Sequence, residues 1–287
     1  MWSSSATSRG GLAEFDSESI TSGEMAHDEK IRLGGMALPN GELVHGPTAW
    51  ACAVRLPDGR LKVVAERKNL RATDIKLPIL RGAAKIFEAI ALLPRVRRAV
   101  PEARLPFERP AVAASMVASA VVVRVVRDSK YLGPAARELL SGLLSVAPAA
   151  LALRAGDLAA YHGAEHVSIG TYEHGEPREK EHERCGSHLV GPILATTAVG
   201  NAIASKAPAH LRGPARLASS VGALGAAAEI FSWMVRNPDH GLSKALARPG
   251  HELQHRFATS EPTPEQLEVA NAALEACLDL ERGTGRP

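Results

Sequence analysis

Residues 46–69 read GPTAWACAVRLPDGRLKVVAERKN, and soon after them the hydrophobic period changes from that of a strand to that of a helix. Two runs of β-favouring residues flank Pro57-Asp58-Gly59, which has the chemistry of a tight turn, so strands are predicted near Thr48–Leu56 and Arg60–Glu66. Two strands are not stable alone in water. They must pack on another element or pair with the upstream GGMAL segment, Gly34–Leu38. After Asp74 the pattern is helical, with Ile86, Ile90 and Leu93 at spacings of four and three in LRGAAKIFEAIALLPRVRRAV (80–100). Uncharged apolar segments follow at Ala111–Val123, Leu139–Leu153, His188–Ser205 and Leu217–Ala228. A closing amphipathic helix starts at Thr263 as N-cap, with Pro264 at N1, Gln266 at N3 and an apolar stripe of Leu267, Ala270, Leu274 and Leu278. The expected fold is mainly α, a helical bundle with a small N-terminal β-hairpin or sheet element. Its expected division is a flexible polar tail over 1–31, a β-rich element over 32–75 and a helical domain over 76–287.

Composition agrees with this division. With 45% hydrophobic residues in 287, the chain can bury a sizeable core, while aromatics at 4% and abundant Ala, Leu and Val suit closely packed helices. The N-terminal MWSSSATSRGGLAEFDSESITSGEMAHDEK lacks the apolar run of a signal peptide and has the polar character of an unfolded tail. A net charge of +3 with interspersed signs gives no basic stripe, so a nucleic-acid partner is not expected. Cys52, Cys185 and Cys277 are widely spaced and odd in number, which fits a reducing compartment such as the cytoplasm rather than a disulfide framework. None of the uncharged segments reaches the roughly 20 residues that cross a bilayer unaided. Hydropathy alone thus leaves buried helices and membrane spans both open.

Chemistry concentrates in YHGAEHVSIGTYEHGEPREKEHERCGSHL, Tyr161–Leu189, which holds five of the 11 histidines. Its HGAEH has the pattern H-x-x-E-H. Residues four apart on a helix lie one above the other, so His162 and His166 can aim two imidazoles at one ion, with Glu165 beside them as a general base. Two ligands do not close a site, since catalytic zinc takes three protein ligands and keeps one position open. His182 and Cys185 in HERCG offer the remaining donors, and Gly170, Gly175 and Pro177 let the intervening loop fold back. Glu229, a lone carboxylate in GALGAAAEIFSWMV, is a further candidate ligand. The plainer alternative is a solvated charged loop whose histidines are neighbours by chance. His174 and His188 read as bystanders.

A rival motif stands at His251, Glu252 and His255, where HELQH is literally H-E-x-x-H, with Glu275 downstream as a possible third ligand. Arg248-Pro249-Gly250 just upstream is expected to break its helix, and Glu275 falls among Glu265 and Glu268 on the polar face of the closing helix. The metallopeptidase reading is therefore the minor one.

The order of the segments GGMAL, HGPTAWACAVRLPDGRL, LPILRG, YHGAEH, HERCGS, AAEIFSWMVR, LARPG and TSEPTPEQLEVANAAL resembles the YqhQ-like family, from Gly34 to Leu278. This is a bacterial group of unknown function described as predicted metal-dependent enzymes. The resemblance implies that His162, Glu165, His166, His182 and Cys185 occupy the family's distinctive polar positions and Glu229 an acidic position on a later helix. It also implies non-ligand positions at His251 and His255, and membrane spans on either side of the His/Cys motif with the site facing the cytoplasm. Met36, Asn40 and His45 depart from the family's Gln, Glu and Arg, and Arg124 and Arg127 interrupt an apolar helix. The expectation is a metal-dependent, hydrolase-like enzyme with a divalent metal, zinc by preference, acting on a small molecule or peptide. Its rivals are a membrane or scaffold protein stapled by structural zinc, and a soluble cytoplasmic protein.

Overall fold

A computed structural model describes residues 30–69, 75–154 and 157–283. The Ser/Gly-rich tail expected over 1–31 lies almost wholly outside them. From Ile31 the chain builds an antiparallel meander of β1 (Gly34–Leu38), β2 (Gly41–His45), β3 (Ala49–Arg55) and β4 (Leu61–Arg67), in that spatial order. The predicted hairpin is β3–β4, closed with Arg55 opposite Leu61 and with Gly59 at φ 83°, a left-handed conformation that glycine adopts without strain. GGMAL does pair into the sheet, but through β2, which the sequence hid. Its GELVH is buried on both faces, so it lacks the alternation of a half-exposed strand.

The meander is a filling between helices. On one face Val44, Ala51 and Ala53 pack with Val269, Ala273, Leu274 and Cys277 of α8 (Pro264–Glu281). On the other, Leu43, Trp50, Cys52 and Val54 pack with Leu92, Val96 and Val100 from the second half of α1 (Pro78–Ala99) and its exit. The buried stripe of α1 thus differs from the one its spacing suggested. Ile90 is 54% exposed, since Leu92 and Val96 carry the contact with the sheet, while the first half of the helix packs on α6 (Arg212–Arg236). The closing helix is as predicted, with a reciprocal capping box between Thr263 and Gln266. Its far end is tied to the sheet by Glu281, whose carboxylate accepts from Thr48 N (2.6 Å), Ala49 N (2.7 Å) and Thr48 Oγ1 (2.7 Å).

Two helical hairpins extend the structure. The first is α2 (Pro110–Asp128) against α3 (Pro134–Arg154); the second is α5 (Val190–Ser205) against α6. Polar side chains fasten both pairs, Ser119 Oγ donating to Leu144 O at 2.6 Å and Thr196 Oγ1 to Ala223 O at 3.0 Å. The helices outrun the uncharged segments read from the sequence, since Arg124 and Arg127 lie within α2 rather than ending it. By length and composition α2 and α6 can cross a membrane. Val117 and Val125 on α2 are 67% and 66% exposed, and Leu217 on α6 is 70% exposed. Between α5 and α6 lies an open apolar cleft of about 810 Å³, lined by Val199, Ile203 and Ile230 among others and containing none of the candidate ligands.

Candidate metal centre

The HGAEH segment lies on α4 (Leu158–His174), which Gly175 ends at φ 77°. Most of its residues from Leu158 to Gly170 are buried, with no single apolar stripe. A helix covered on nearly every side must find partners for its polar groups inside the protein. Ser168 Oγ donates to Asn271 Oδ1 at 2.7 Å. His162 donates from Nδ1 to the carbonyl of Ala258 at 2.8 Å, and His166 from Nδ1 to the carbonyl of Lys180 at 2.5 Å. A carbonyl can only accept, so in both rings the proton facing it is on Nδ1 and the exposed lone pair belongs to Nε2.

The two Nε2 atoms meet the sulfur of Cys185. His162 Nε2, His166 Nε2 and Cys185 Sγ are mutually within 4.8 Å, the one such group of three among the described residues. His162 Nε2 stands 3.4 Å from the sulfur. Tetrahedral zinc with bonds of about 2.0–2.3 Å would space its donors by roughly 3.3–3.8 Å, a range that holds this pair, while the other two separations are within 4.8 Å. Cys185 is the N-cap of a short 3-10 turn, Gly186–Leu189, and its sulfur accepts the Ser187 amide at 3.4 Å. His166 Nε2 has no hydrogen-bonding partner although the residue is only 2% exposed. A buried lone pair beside an imidazole and a thiol is a donor set that a cation could complete.

Electrostatics set the two rings apart, because His162 keeps a proton on Nε2 that a bound cation would have to displace. Burial opposes charge on His162, but the Cys185 sulfur outweighs it and lifts the imidazole to about 9. Burial, with His162 next, drives His166 down to about 2, so that ring stays neutral and ready to ligate. The other two cysteines are no competitors. Burial pushes Cys52 and Cys277 each up to about 12, and all three thiols are free.

The remaining predicted residues are placed differently. The His182 ring lies 5.5 Å from that of His166, outside the three-atom group, with Nε2 3.1 Å from Glu173, which also pairs with Arg184. Glu229 is not brought to the group, and its carboxylate meets Arg81 of α1 at 3.1 and 3.2 Å. Glu165 turns from its neighbours toward the sheet. A Cβ on Gly35 would stand 2.4 Å from its carboxylate, so glycine there makes room for it. His174, as expected, is outside the group, and His188 is buried against Gln254 at 3.3 Å.

The rival motif has another use. Pro249 does not break its helix, as the sequence reading had it; α7 (Gly241–Leu253) runs through it and continues into a π turn, Gln254–Ala258. Pro249 is the ninth of the 13 residues of α7, so the missing amide falls in the helix interior, and the π turn begins five residues later. His251 and His255 are exposed, their rings stacked 6.4 Å apart, with His255 on Glu181 and Glu252 on Arg256. The residue between them that matters is Gln254, fully buried, which the sequence reading passed over. Its Oε1 accepts the His182 amide at 2.9 Å, and its Nε2 donates to Ser187 Oγ at 2.8 Å. The same turn presents the Ala258 carbonyl to His162. HELQH therefore holds both sides of the His/Cys group without ligating it. Replacing Gln254 by Ala would leave the Cys185 turn untied, and zinc affinity is expected to fall roughly 10–100-fold, as for the loss of other outer-shell partners. Competition against a chelator measures it, and an unchanged affinity would refute the tie.

Comparison with known proteins places the site inside a recognised sequence unit. Residues 155–280, which carry both motifs, match the family model described as "Protein of unknown function (DUF1385)". Over 305 aligned positions the chain is 28% identical to the uncharacterized protein YqhQ of Bacillus subtilis (strain 168), covering 89% of this chain and 95% of that protein. No solved structure matches. The chain is thus similar to a YqhQ protein along most of its length and to a family of unknown function over residues 155–280.

Proposed function

We propose that this YqhQ-like protein is a metal-dependent enzyme of hydrolytic type, holding a divalent metal on His162 Nε2, His166 Nε2 and Cys185 Sγ. The observation that carries the reading is the pair of backbone carbonyls, of Ala258 and Lys180, which take the Nδ1 protons and leave two Nε2 lone pairs converging with a thiol. Two imidazoles and a thiolate suit zinc better than calcium or magnesium. A metal with three protein ligands supplies Lewis-acid activation of water at its open position. Glu165, on the same helix and electrostatically coupled to His162 and His182, is the proton acceptor. The substrate class is a small molecule or peptide. A structural zinc staple is the second reading, favoured by His182, whose ring is near enough to His166 to supply a fourth ligand after a rotation away from Glu173.

The exposed apolar faces of α2 and α6 support attachment to a bilayer, with the sheet, α4 and α8 outside it on the cytoplasmic side. Recovery in a detergent extract rather than the salt-washed soluble fraction tests that attachment. The metal reading is tested by elemental analysis of purified wild type and variants. One zinc per chain is expected in wild type, His182→Ala and His251→Ala, and none in His162→Ala. Loss in the His251 variant alone would move the site to HELQH, and loss in the His182 variant would favour the staple.

A further inference from the structure

The α5–α6 hairpin carries a charge pattern that the metal centre does not use. Between Glu183 and Glu229 the chain has no Asp or Glu, whereas the turn joining the two helices and the start of α6 carry Lys206, Arg212 and Arg216. Within their own hairpin these cations have no acid to pair with. Lys206 is the C-cap of α5 and lines one end of the cleft of about 810 Å³ between the helices. Arg212 begins the stripe of α6 that continues through the lining residues Ala215, Ser219 and Gly222. Its Nε donates at 3.2 Å to the carbonyl of Ala207, which also lines the cleft. Two cations therefore stand at the same mouth.

From that mouth inward the cleft is an apolar trough. It ends at Ala195 on α5 and at Ile230 on α6, and apart from Lys206 none of the described residues lining it is charged. Val199 and Ile203, 61% and 66% exposed, leave it open along its side. At a rise of about 1.5 Å per residue, the helix from Ala195 to Lys206 gives the trough a length of about 16 Å. The hydrocarbon core of a bilayer is roughly 30 Å thick, so the tails of one leaflet reach about 15 Å. The trough thus has the length of one lipid tail, with charge for a phosphate at its mouth. Other apolar occupants fit worse. A second copy packed through the same hairpin would bring the same cations and no acid, and an uncharged helix would leave Lys206 and Arg212 facing no anion.

We propose that the α5–α6 hairpin holds one anionic phospholipid, with an acyl chain lying in the cleft and the phosphate between Lys206 and Arg212. The proposal rests on the bilayer attachment proposed for α2 and α6, since the lipid enters sideways from its leaflet. Long basic side chains suit this mouth, because their methylene stems lie along apolar surface while their charged ends reach the headgroup. Recognition requires a net negative headgroup and a chain together, which sets phosphatidylglycerol above the zwitterionic phosphatidylcholine.

Native mass spectrometry of the full-length protein in detergent, titrated with phosphatidylglycerol or with phosphatidylcholine of the same chains, tests this. Wild type is expected to take up one phosphatidylglycerol per chain in preference to phosphatidylcholine. Glycerol phosphate, which has the charge without the chain, should not displace it. A basic side chain near an anionic lipid surface contributes about fivefold in binding, so Lys206→Gln combined with Arg212→Gln should weaken phosphatidylglycerol roughly 30-fold. Ala218→Trp, which fills the trough, should weaken both lipids. Equal binding of the two lipids by wild type would overturn the proposal without any variant. So would full phosphatidylglycerol affinity in either variant that keeps its helical circular dichroism, or displacement by glycerol phosphate. A dimer that ignores added lipid and dissociates on Ala218→Trp would give the cleft to a second copy instead. Fractionation of the same cells separates this site from the bilayer reading. A chain recovered in the salt-washed soluble fraction that still prefers phosphatidylglycerol would refute the attachment and leave the lipid site standing, and a detergent-extracted chain with no preference would do the reverse.

Discussion

Zinc binding is expected to tighten roughly tenfold for each pH unit between 6 and about 9 and to level off above that, giving about 100-fold between pH 7 and 9. The sign follows from the His162–Cys185 pair. In the metal-free protein the sulfur holds a proton on the imidazole up to about 9, far above the ordinary histidine range. Zinc requires the lone pair of that nitrogen, so below about 9 each ion bound must expel the His162 proton. His166 adds nothing to the slope because it is already neutral at any of these values. Cys185→Ser supplies the contrast. Without the sulfur, burial drives the proton off His162 unaided, so the variant should bind more weakly at pH 9 and with little pH dependence. Titrations in metal buffers at several pH values, with calorimetry in two buffers of different ionisation enthalpy, count the protons. An affinity independent of pH in wild type would mean that zinc does not replace a proton at His162.

Parts of this centre were legible in the sequence and parts were not, for separable reasons. The i, i+4 spacing of His162 and His166 and the distance back to Cys185 are local properties, and local periodicity survives folding when the segment is long enough to form its helix. The same holds for the β3–β4 turn and the capping box of α8, each written in a few adjacent residues. Glu229 was offered for the right chemical reason, a carboxylate on an apolar helix needing a partner, but the partner proved to be Arg81 on a helix distant in sequence. Nothing in the spacing of either residue marks that choice. Gln254 and Glu42 escaped for the same reason. Gln254 lay inside a motif whose histidines drew attention, and its use depends on the π turn that brings the Ala258 carbonyl to α4. Glu42 belongs to a strand buried on both faces, whose sequence GELVH has no alternation to mark it.

The arrangement also gives the small N-terminal sheet a purpose beyond filling space. β1 and β2 form the floor under α4, and α8 clamps that floor from the same side through Val269, Ala273 and Cys277. α4 is thereby fixed along most of its length before any metal arrives. Preorganised ligands lose little freedom on binding, which raises affinity without extra contacts. The first apolar hairpin joins this core at its base, through Val112 of α2 and Ala152 of α3, and its outer face stays exposed.

Gly163→Ala is the substitution expected to damage the site most without touching a ligand. Gly163 is flanked by His162 on α4, and a Cβ built on it would stand 2.2 Å from the carbonyl oxygen of Ser260. That oxygen is backbone, held in place because Ser260 N donates to Ala159 O at 3.0 Å, so no side-chain rotation can relieve the clash. The segment 258–260 has to move off the helix. Ala258 lies in that segment, and its carbonyl holds the Nδ1 proton of His162 at 2.8 Å, so the displacement reaches the metal group at once. Alanine is the better helix former by about 1 kcal/mol, which offsets part of an overpacking cost of roughly 1–3 kcal/mol. The net loss of stability is therefore modest, about 0–2 kcal/mol, and the fold should survive. Zinc affinity should fall by about 10–100-fold, the range for losing an outer-shell partner of a ligating histidine. The two readouts separate the causes, because helix propensity alone would raise the melting temperature and leave zinc untouched. A Gly163→Ala protein that melts higher than wild type and binds zinc equally well would show that the contact between α4 and Ser260 is looser than described, and that His162 does not depend on it.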